Sequence, residues 1–186
     1  MSDISAFGIT ATLPAGWDGS ITKRPDPAGD PEVGADAAPE TAPDAGAREA
    51  PGTAPDATTG AAPVEGTENP VAHLANFPLP AVRGDYGSGA VEQMTADDVL
   101  VCLVEFDPEA VGTPLFATNG IPRFGVNDFA PQTMQRTIAG MCGAQAFFSV
   151  SGRAFAAYVV LGTFRLRAPL VRTVNDLLAG LEIAPR

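Results

Sequence analysis

Apolar residues are densest over residues 145–162, where two aromatic-rich runs flank the dipeptide Ser151-Gly152. A Ser-Gly pair between two such runs is typical of the tight turn of a β-hairpin. The second run is apolar on both faces, with Phe155 and Val159 on one face and Tyr158 on the other. A strand with two apolar faces belongs in the centre of a sheet that is covered on both sides. The pattern therefore predicts that this hairpin is central to the fold.

The N-terminal part of the chain predicts a second hairpin. Residues 7–13 alternate between apolar and polar, as a half-buried strand does. A turn-forming run, Pro14-Ala15-Gly16, follows, and residues 19–24 predict the partner strand. Trp17, between the two strands, is expected to anchor this hairpin in the core. The inward residues of the first strand are expected to be Phe7, Ile9, Ala11 and Leu13.

Two further strands are predicted over residues 71–80 and 99–106, the latter apolar on both faces up to Glu105. Helices are predicted over residues 90–94, 131–139 and 170–181. In the second helix Met134 and Ile138 are expected to face inward. In the third, the apolar residues recur at helical spacing, and they are Leu170, Val171, Val174, Leu177, Leu178 and Leu181.

Residues 25–70 interrupt this pattern. They contain no aromatic residue, and their only large aliphatic residues are Val33 and Val64. The pentapeptide at residues 41–45 recurs at residues 53–57, which is typical of low-complexity sequence. Such a segment cannot bury enough apolar surface to offset the entropy of ordering it. The sequence therefore predicts a single α+β domain, residues 1–24 and 71–186, with an antiparallel sheet flanked by helices and a disordered insertion over residues 25–70.

The net charge of −11 is concentrated in this predicted insertion. Residues 25–70 hold ten of the 22 acidic residues and one basic residue, Arg48, so the remaining residues carry a net charge of only −2. Because no cationic surface is available to meet phosphates, nucleic acid is not expected as a partner. No apolar run approaches the ~20 residues of a membrane span, and no signal-peptide pattern is visible. A cytoplasmic location is therefore expected.

The order of the predicted elements resembles that of the PsbP-like superfamily. Residues 8–17, Gly-Ile-Thr-Ala-Thr-Leu-Pro-Ala-Gly-Trp, are similar to the strand-Leu-Pro-x-Gly-Trp opening of that family, and the late hairpin before a terminal helix is similar to its ending. The family includes photosystem extrinsic subunits, a Ran-binding nuclear import factor and actinobacterial lipoproteins. The resemblance implies an α/β/α sandwich and a binding or scaffolding role without shared catalytic residues. Lys23 is the only lysine in a chain rich in Ala, Gly and Pro, a composition that is typical of a high-GC genome and favours an actinobacterial origin.

A glycine-rich loop over residues 83–89 is a candidate ligand site. Such a loop before a helix can present backbone N–H groups to an anion. The loop has neither the Gly-Lys-Ser/Thr ending of a P-loop nor G-x-G-x-x-G spacing. The alternative interpretation is a turn that needs glycine for its conformation. The candidate residues are Arg83, Gly84, Asp85, Gly87, Ser88 and Gly89.

A catalytic pair is the second candidate site. Cys142 and His73, the only histidine, are a possible nucleophile and base, because such pairs assemble in space rather than in sequence. Cys102 lies within an apolar strand, where a thiol is expected to be inert. No orienting group is apparent, and small buried apolar roles for both thiols are the simpler interpretation. With one histidine and scattered acidic residues, no metal site is expected, and no cofactor is expected.

The leading hypothesis is a non-enzymatic protein-interaction or scaffolding module with a protein partner. One alternative is an enzyme that uses Cys142 and His73, and another is a small-ligand or anion binder that uses the loop over residues 83–89. Four arginines near the late hairpin and the terminal helix are a candidate partner surface, although a solvated face is the more ordinary interpretation. They are Arg153, Arg165, Arg167 and Arg172.

Overall fold

Two strands form the centre of the molecule in the computed structural model, which describes residues 1–24 and 69–186. They are β5, Val99–Phe106, and β7, Arg153–Leu161. Every residue of β7 is buried, and so is every residue of β5 except the last. The prediction that the apolar run after Ser151-Gly152 is a central strand is therefore confirmed.

These strands belong to a five-stranded antiparallel sheet of order β3-β4-β5-β7-β6. Its other members are β3, Asp18–Lys23, β4, Pro70–Ala75, and β6, Cys142–Val150. Ser151 and Gly152 connect β6 to β7 with φ angles of 53° and 74°, as a two-residue type I′ turn requires. The hairpin predicted over residues 145–162 is thus confirmed.

A second antiparallel sheet has the order β1-β2-β8 and consists of β1, Ser2–Ala6, β2, Ile9–Leu13, and β8, Leu181–Ile183. The predicted first hairpin is wrong, because β2 pairs with β1 and β8 while β3 pairs with β4. Phe7 does not face inward: it lies in the turn between β1 and β2 and is 45% exposed. The other three residues predicted to face inward, Ile9, Ala11 and Leu13, are buried.

The C-terminal helix α1, Arg167–Ala179, begins and ends earlier than predicted. Its inward residues Val171, Val174, Leu177 and Leu178 are buried, which confirms the amphipathic pattern. Leu181 is also buried, but it lies in β8. Gly180 ends the helix and donates its N–H to the Leu177 carbonyl, and the chain then turns back to pair with β2.

The helix predicted over residues 131–139 is wrong. A 3-10 turn, Pro131–Thr133, is followed by irregular chain, although Met134 and Ile138 do pack inward. The Gln135 N–H donates to the Tyr158 hydroxyl at 3.1 Å instead of to a carbonyl of its own helix, so a contact with the sheet replaces helical bonding. The short helix predicted over residues 90–94 is a 3-10 turn, Val91–Gln93.

The described residues form one α+β domain with two antiparallel sheets, which confirms the predicted fold class. Of the three predicted helices, only the C-terminal one is an α-helix. The helix and the small sheet pack on one face of the large sheet, where Trp17 joins the core partly buried. Loops that carry Val91, Met94, Met134 and Met141 cover the other face. Each face of β7 therefore has its own apolar layer.

The predicted insertion over residues 25–70 lies outside the described residues, apart from Asn69 and Pro70. These two residues are buried in the domain, and Pro70 pairs with Lys23 across β3 and β4. The Arg24 N–H donates to the Asn69 carbonyl at 3.2 Å. The two strands on either side of residues 25–68 are therefore direct neighbours in the sheet, as predicted.

We expect that replacing residues 25–68 with a short Gly/Asn turn leaves the fold intact and raises the free energy of unfolding. The sequence predicts that this segment is a disordered loop, and shortening such a loop reduces the free-energy cost of closing it by about 2 kcal/mol. Urea unfolding of both chains measures the difference. A matched replacement of residues 25–70, which also removes Asn69 and Pro70, is expected to be less stable. A loss of stability with the shorter replacement would show that residues 25–68 contribute contacts to the domain.

Candidate functional site

The face of the large sheet opposite α1 carries a row of polar side chains. His73 in β4 lies directly opposite Cys102 in β5, which lies opposite Tyr158 in β7. Cross-strand neighbours in antiparallel strands project from the same face. His73 is 3% exposed, and its Nε2 lies 3.1 Å from the carbonyl oxygens of Gly84 and of Asp85. His73 therefore holds the glycine-rich loop against the sheet.

The loop needs glycine where it crosses this row. Gly87 has a φ of 82°, and a Cβ atom there would overlap the side chain of Leu100. Its close approach to the sheet explains the glycine without any ligand. The amides of Gly84, Gly87 and Gly89 donate to the Ser88 carbonyl, the Gly84 carbonyl and the Glu92 carboxylate, at 3.0, 2.8 and 2.7 Å. The glycine N–H groups are thus already engaged within the loop and its own turn.

A cleft opens between this loop and the chain after Pro131–Thr133. Its volume is about 170 Å³. The apolar lining consists of Tyr86, Val91, Met134, Ile138 and Tyr158. The polar lining consists of Ser88, Glu92, Gln135 and Arg136. Of the residues predicted in the 83–89 loop, only Ser88 contributes to this cleft.

Two tyrosines give the cleft a fixed aromatic base. The rings of Tyr86 and Tyr158 meet edge to face, with their centroids 5.7 Å apart. Burial raises the pKa of both phenols above the ordinary value, so both are neutral at physiological pH. At the rim, Glu92 and Arg136 form an exposed ion pair at 3.8 Å. The cleft therefore combines an apolar interior, two aromatic rings in contact and a charged rim.

A second cavity of about 210 Å³ lies beside the end of α1 and is lined by Ile121, Arg123 and Leu178, among others. None of the described residues that line it is aromatic. The Asn175 side chain beside it exchanges two hydrogen bonds of 2.9 Å with the backbone of Phe124, which fixes the loop onto the helix. This cavity lies where the loop packs on α1. The cleft beside Tyr86 and Tyr158, called the tyrosine cleft below, is therefore the better candidate site.

The structure does not bring Cys142 and His73 together. His73 projects from the face that carries Cys102, whereas Cys142 belongs to the apolar core on the α1 face. Strands β5 and β7 lie between β4 and β6, so the backbones of β4 and β6 are about 14 Å apart, three strand spacings. The sheet itself thus stands between the proposed nucleophile and its base. Burial raises the pKa of Cys142 to about 11 and raises that of Cys102 as well.

Both cysteines are expected to react slowly with iodoacetamide at pH 7 in the native protein. Only the thiolate reacts, and a pKa near 11 for Cys142 makes its alkylation at least about a hundredfold slower than that of free cysteine. Mass spectrometry of timed samples measures both rates, and the urea-unfolded chain is the control. Native alkylation of Cys142 as fast as that of free cysteine would revive the enzyme hypothesis.

Arg153 does not contribute to a basic surface. It is 2% exposed, and its guanidinium donates two hydrogen bonds to Glu105, from Nε at 2.9 Å and from Nη2 at 2.6 Å. A third bond of 3.1 Å reaches the Ala184 carbonyl just after β8. Arg186 Nη2 lies 3.2 Å from the same carboxylate. This buried network joins the large sheet to the end of the small one.

The other three arginines of the predicted partner surface lie at the start of α1. Arg165 and Arg172 are exposed. Arg167 is half-buried, stacks on Phe164 at 4.0 Å and donates to the Val126 carbonyl at 3.1 Å. The four residues therefore do not form one patch, and the three that lie near the surface include one with a structural role.

Sequence reasoning missed most of the cleft. Met134, Ile138 and Tyr158 were predicted only as core residues, and Glu92 only as part of a short helix.

No described helix is long and apolar enough to cross a membrane. Among residues 1–24 and 69–186 no three potential ligands lie close enough together to hold a metal ion. No family model, curated protein or solved structure matches this chain.

Proposed function

We propose that the protein is a non-enzymatic interaction module whose tyrosine cleft binds one apolar side chain of a protein partner. The observation that carries this proposal is the lining of the cleft, in which Tyr86, Tyr158 and Met134 surround a small open volume. Aromatic residues and Met are enriched at protein contact sites. We also propose that the protein is related to the PsbP-like superfamily. Members of that superfamily are mostly binding proteins, which is consistent with this role.

The size of the cleft favours a side chain over a free ligand. Small-molecule pockets usually enclose ≈ 300–1,000 Å³, whereas this cleft offers about 170 Å³. A cavity of roughly 150 Å³ accommodates a benzene ring. The occupant is therefore one aromatic or branched aliphatic group, as a partner presents when a single residue anchors its interface.

The charges at the rim describe the residues next to that anchor. Glu92 and Arg136 both line the cleft, are solvent-exposed and form an ion pair with each other at 3.8 Å. A partner segment with a basic and an acidic residue on either side of its apolar anchor would exchange this internal pair for two intermolecular pairs. Such charges set orientation and association rate more than affinity.

Site-specific photo-cross-linking in lysate of the native host tests the proposal. A photoreactive residue at Gln135, on the rim, is expected to capture a partner that the same residue at Arg172, on the exposed face of α1, does not capture. Adding Ile138→Glu to the first protein should remove the adduct, because a carboxylate then enters the apolar cleft. A peptide from the partner should lose binding when its apolar anchor is changed to alanine. Equal adducts from both positions, or adducts that survive Ile138→Glu, would contradict the proposal.

A further inference from the structure

Two buried nitrogen atoms, one in the 83–89 loop and one in the adjacent strand β4, lack a hydrogen-bond partner. Within residues 1–24 and 69–186, the buried side-chain nitrogens that make no hydrogen bond are Arg24 Nε, His73 Nδ1 and Arg83 Nε. Arg24 Nε lies 2.7 Å from the Asp85 carboxylate, so its charge is paired. His73 Nδ1 and Arg83 Nε have no such compensation. Buried polar groups without a partner are uncommon in native proteins, and an ion or a water molecule is the usual explanation.

The two groups lie next to each other. Ser20 in β3 is the cross-strand neighbour of His73, so the two side chains share a face of the sheet. Arg83 Nη2 donates to the Ser20 hydroxyl, which places its guanidinium beside the imidazole. The pKa of His73 is lowered, first by burial and then by the positive charge of Arg83, which supports the same proximity.

The charge of Arg83 is not neutralised by any described carboxylate within ion-pairing distance. Its two hydrogen bonds go to uncharged oxygens, the Pro80 carbonyl at 2.6 Å and the Ser20 hydroxyl. Partly buried guanidinium groups are normally paired with an anion, because desolvation of an unpaired charge is costly. The local charge is therefore suited to a small negative ligand.

We propose that a small oxyanion, of the phosphate or carboxylate type, binds between Arg83 and His73. Its oxygens would accept from the Arg83 Nε–H and from His73 Nδ1. His73 Nε2 already faces two carbonyl acceptors, so it carries the proton of the neutral ring and Nδ1 carries the lone pair. Binding consequently takes up one proton from solvent onto Nδ1. This site does not depend on the tyrosine cleft, and it differs from the glycine-amide site that the sequence suggested.

The charged and titratable groups around His73 determine its pKa and how that pKa changes when an anion binds. Arg83 opposes protonation of His73 and Asp85 favours it. Arg24 is paired with the Asp85 carboxylate, and Tyr86 and Cys102 are neutral below pH 8 because burial raises the pKa of each. With no anion bound, the pKa of His73 is lower in the folded than in the unfolded protein. The resulting stability is complete above the unfolded pKa of about 6.5 and is lost as pH falls below it. A bound oxyanion raises the folded pKa and reduces this loss.

His73 is the only histidine in the chain, so its imidazole proton resonances report the site without ambiguity. The intact protein is titrated with pH in sodium chloride and, at equal ionic strength, in inorganic phosphate, sulfate or acetate. We expect the oxyanions to raise the pKa of His73 by about one unit, with saturable shifts as their concentration increases. An identical titration in all four salts would overturn the proposal and leave a buried water as the occupant.

Three variants separate this site from general screening. Arg83→Gln is expected to abolish the response to oxyanions, whereas the matched control Arg165→Gln, on an exposed arginine, should keep it. Arg83→Lys retains the charge without the Nε–H and should weaken binding at least about threefold. If Arg83→Gln does not fold, Arg83→Lys still tests the assignment. An unchanged response in either folded Arg83 variant would refute the assignment, whatever the cleft binds.

Discussion

Replacing Arg153 with methionine is expected to lower the free energy of unfolding by about 3–5 kcal/mol. The substitution keeps a long side chain but removes the bidentate partner of Glu105, which is 2% exposed. Arg186 contacts the same carboxylate, but it is 48% exposed and supplies one contact of 3.2 Å. The carboxylate would therefore lie in the core largely uncompensated. Since domains of this size are stable by roughly 5–15 kcal/mol, the variant should be close to unfolding.

Urea unfolding of Arg153→Met and of the control Arg165→Met measures the effect. The control removes an exposed arginine that follows the other end of β7 and should change stability by less than about 0.5 kcal/mol. The double variant Glu105→Met, Arg153→Met should recover part of the loss, because an apolar pair of similar volume often replaces a buried ion pair at little cost. A loss of under 1 kcal/mol in the single variant would show that Glu105 does not depend on Arg153 for compensation in the core.

Gly162→Ala is expected to cost at least about 1–3 kcal/mol. A Cβ atom at Gly162 would overlap the backbone carbonyl of Thr95, and the Gly162 N–H is bonded to the Asp98 carbonyl at 2.9 Å. Backbone cannot rotate away as a side chain can, so the turn over residues 95–98 must move. That turn connects β5 to the segment that carries Val91 and Glu92, so the variant should also distort the cleft.

The control for Gly162→Ala is Gly112→Ala. A Cβ atom at Gly112 has no neighbour within 4 Å, but its φ of 78° disfavours alanine, at a cost of roughly 1 kcal/mol. Thermal unfolding of both variants separates overlap from backbone strain. Equal melting temperatures for the two variants would indicate that the turn over residues 95–98 yields easily.

The central sheet could be predicted from sequence because its signal is local. Residues 99–104 and 154–161 are continuous apolar runs, and Ser151-Gly152 is a typical two-residue hairpin turn. The small sheet could not be predicted in the same way. β8 has three residues and exists because it pairs with β2, more than 160 positions earlier in the chain. Phe7 continues the apolar–polar alternation of β2 in the sequence. Because residues 2–6 form a strand that pairs with β2, Phe7 lies in the turn between the two strands.

The polar sites depend on contacts that sequence does not record. Arg153 and Glu105 are 48 positions apart, and a sequence in which Arg153 lies near other arginines suggests a surface instead. The glycines of the 83–89 loop predict an anion site at their N–H groups. In the structure, Arg83 instead bonds to Ser20, and His73 contacts the loop backbone. Tyr158 was predicted on the correct strand, but only the fold shows that Tyr86 and Met134 meet it.

The central claim is that the tyrosine cleft admits one apolar side chain, and methionine methyl resonances test it most directly. The chain has four methionines, of which Met134 lines the cleft and Met1 is 96% exposed. The protein, labelled with ¹³C at the methionine methyls, is titrated with N-acetyl-phenylalaninamide and N-acetyl-leucinamide, with N-acetyl-alaninamide as the control.

We predict a saturable shift of the Met134 resonance with the phenylalanine and leucine amides, at a Kd on the order of millimolar for so small a ligand. Met1 should not respond, and the alanine amide should have little effect. Ile138→Glu should abolish the Met134 response while the other methionine resonances stay in place. A Met134 resonance that does not move at tens of millimolar ligand, on the order of ten times that Kd, or that moves equally with the alanine amide, would contradict the account.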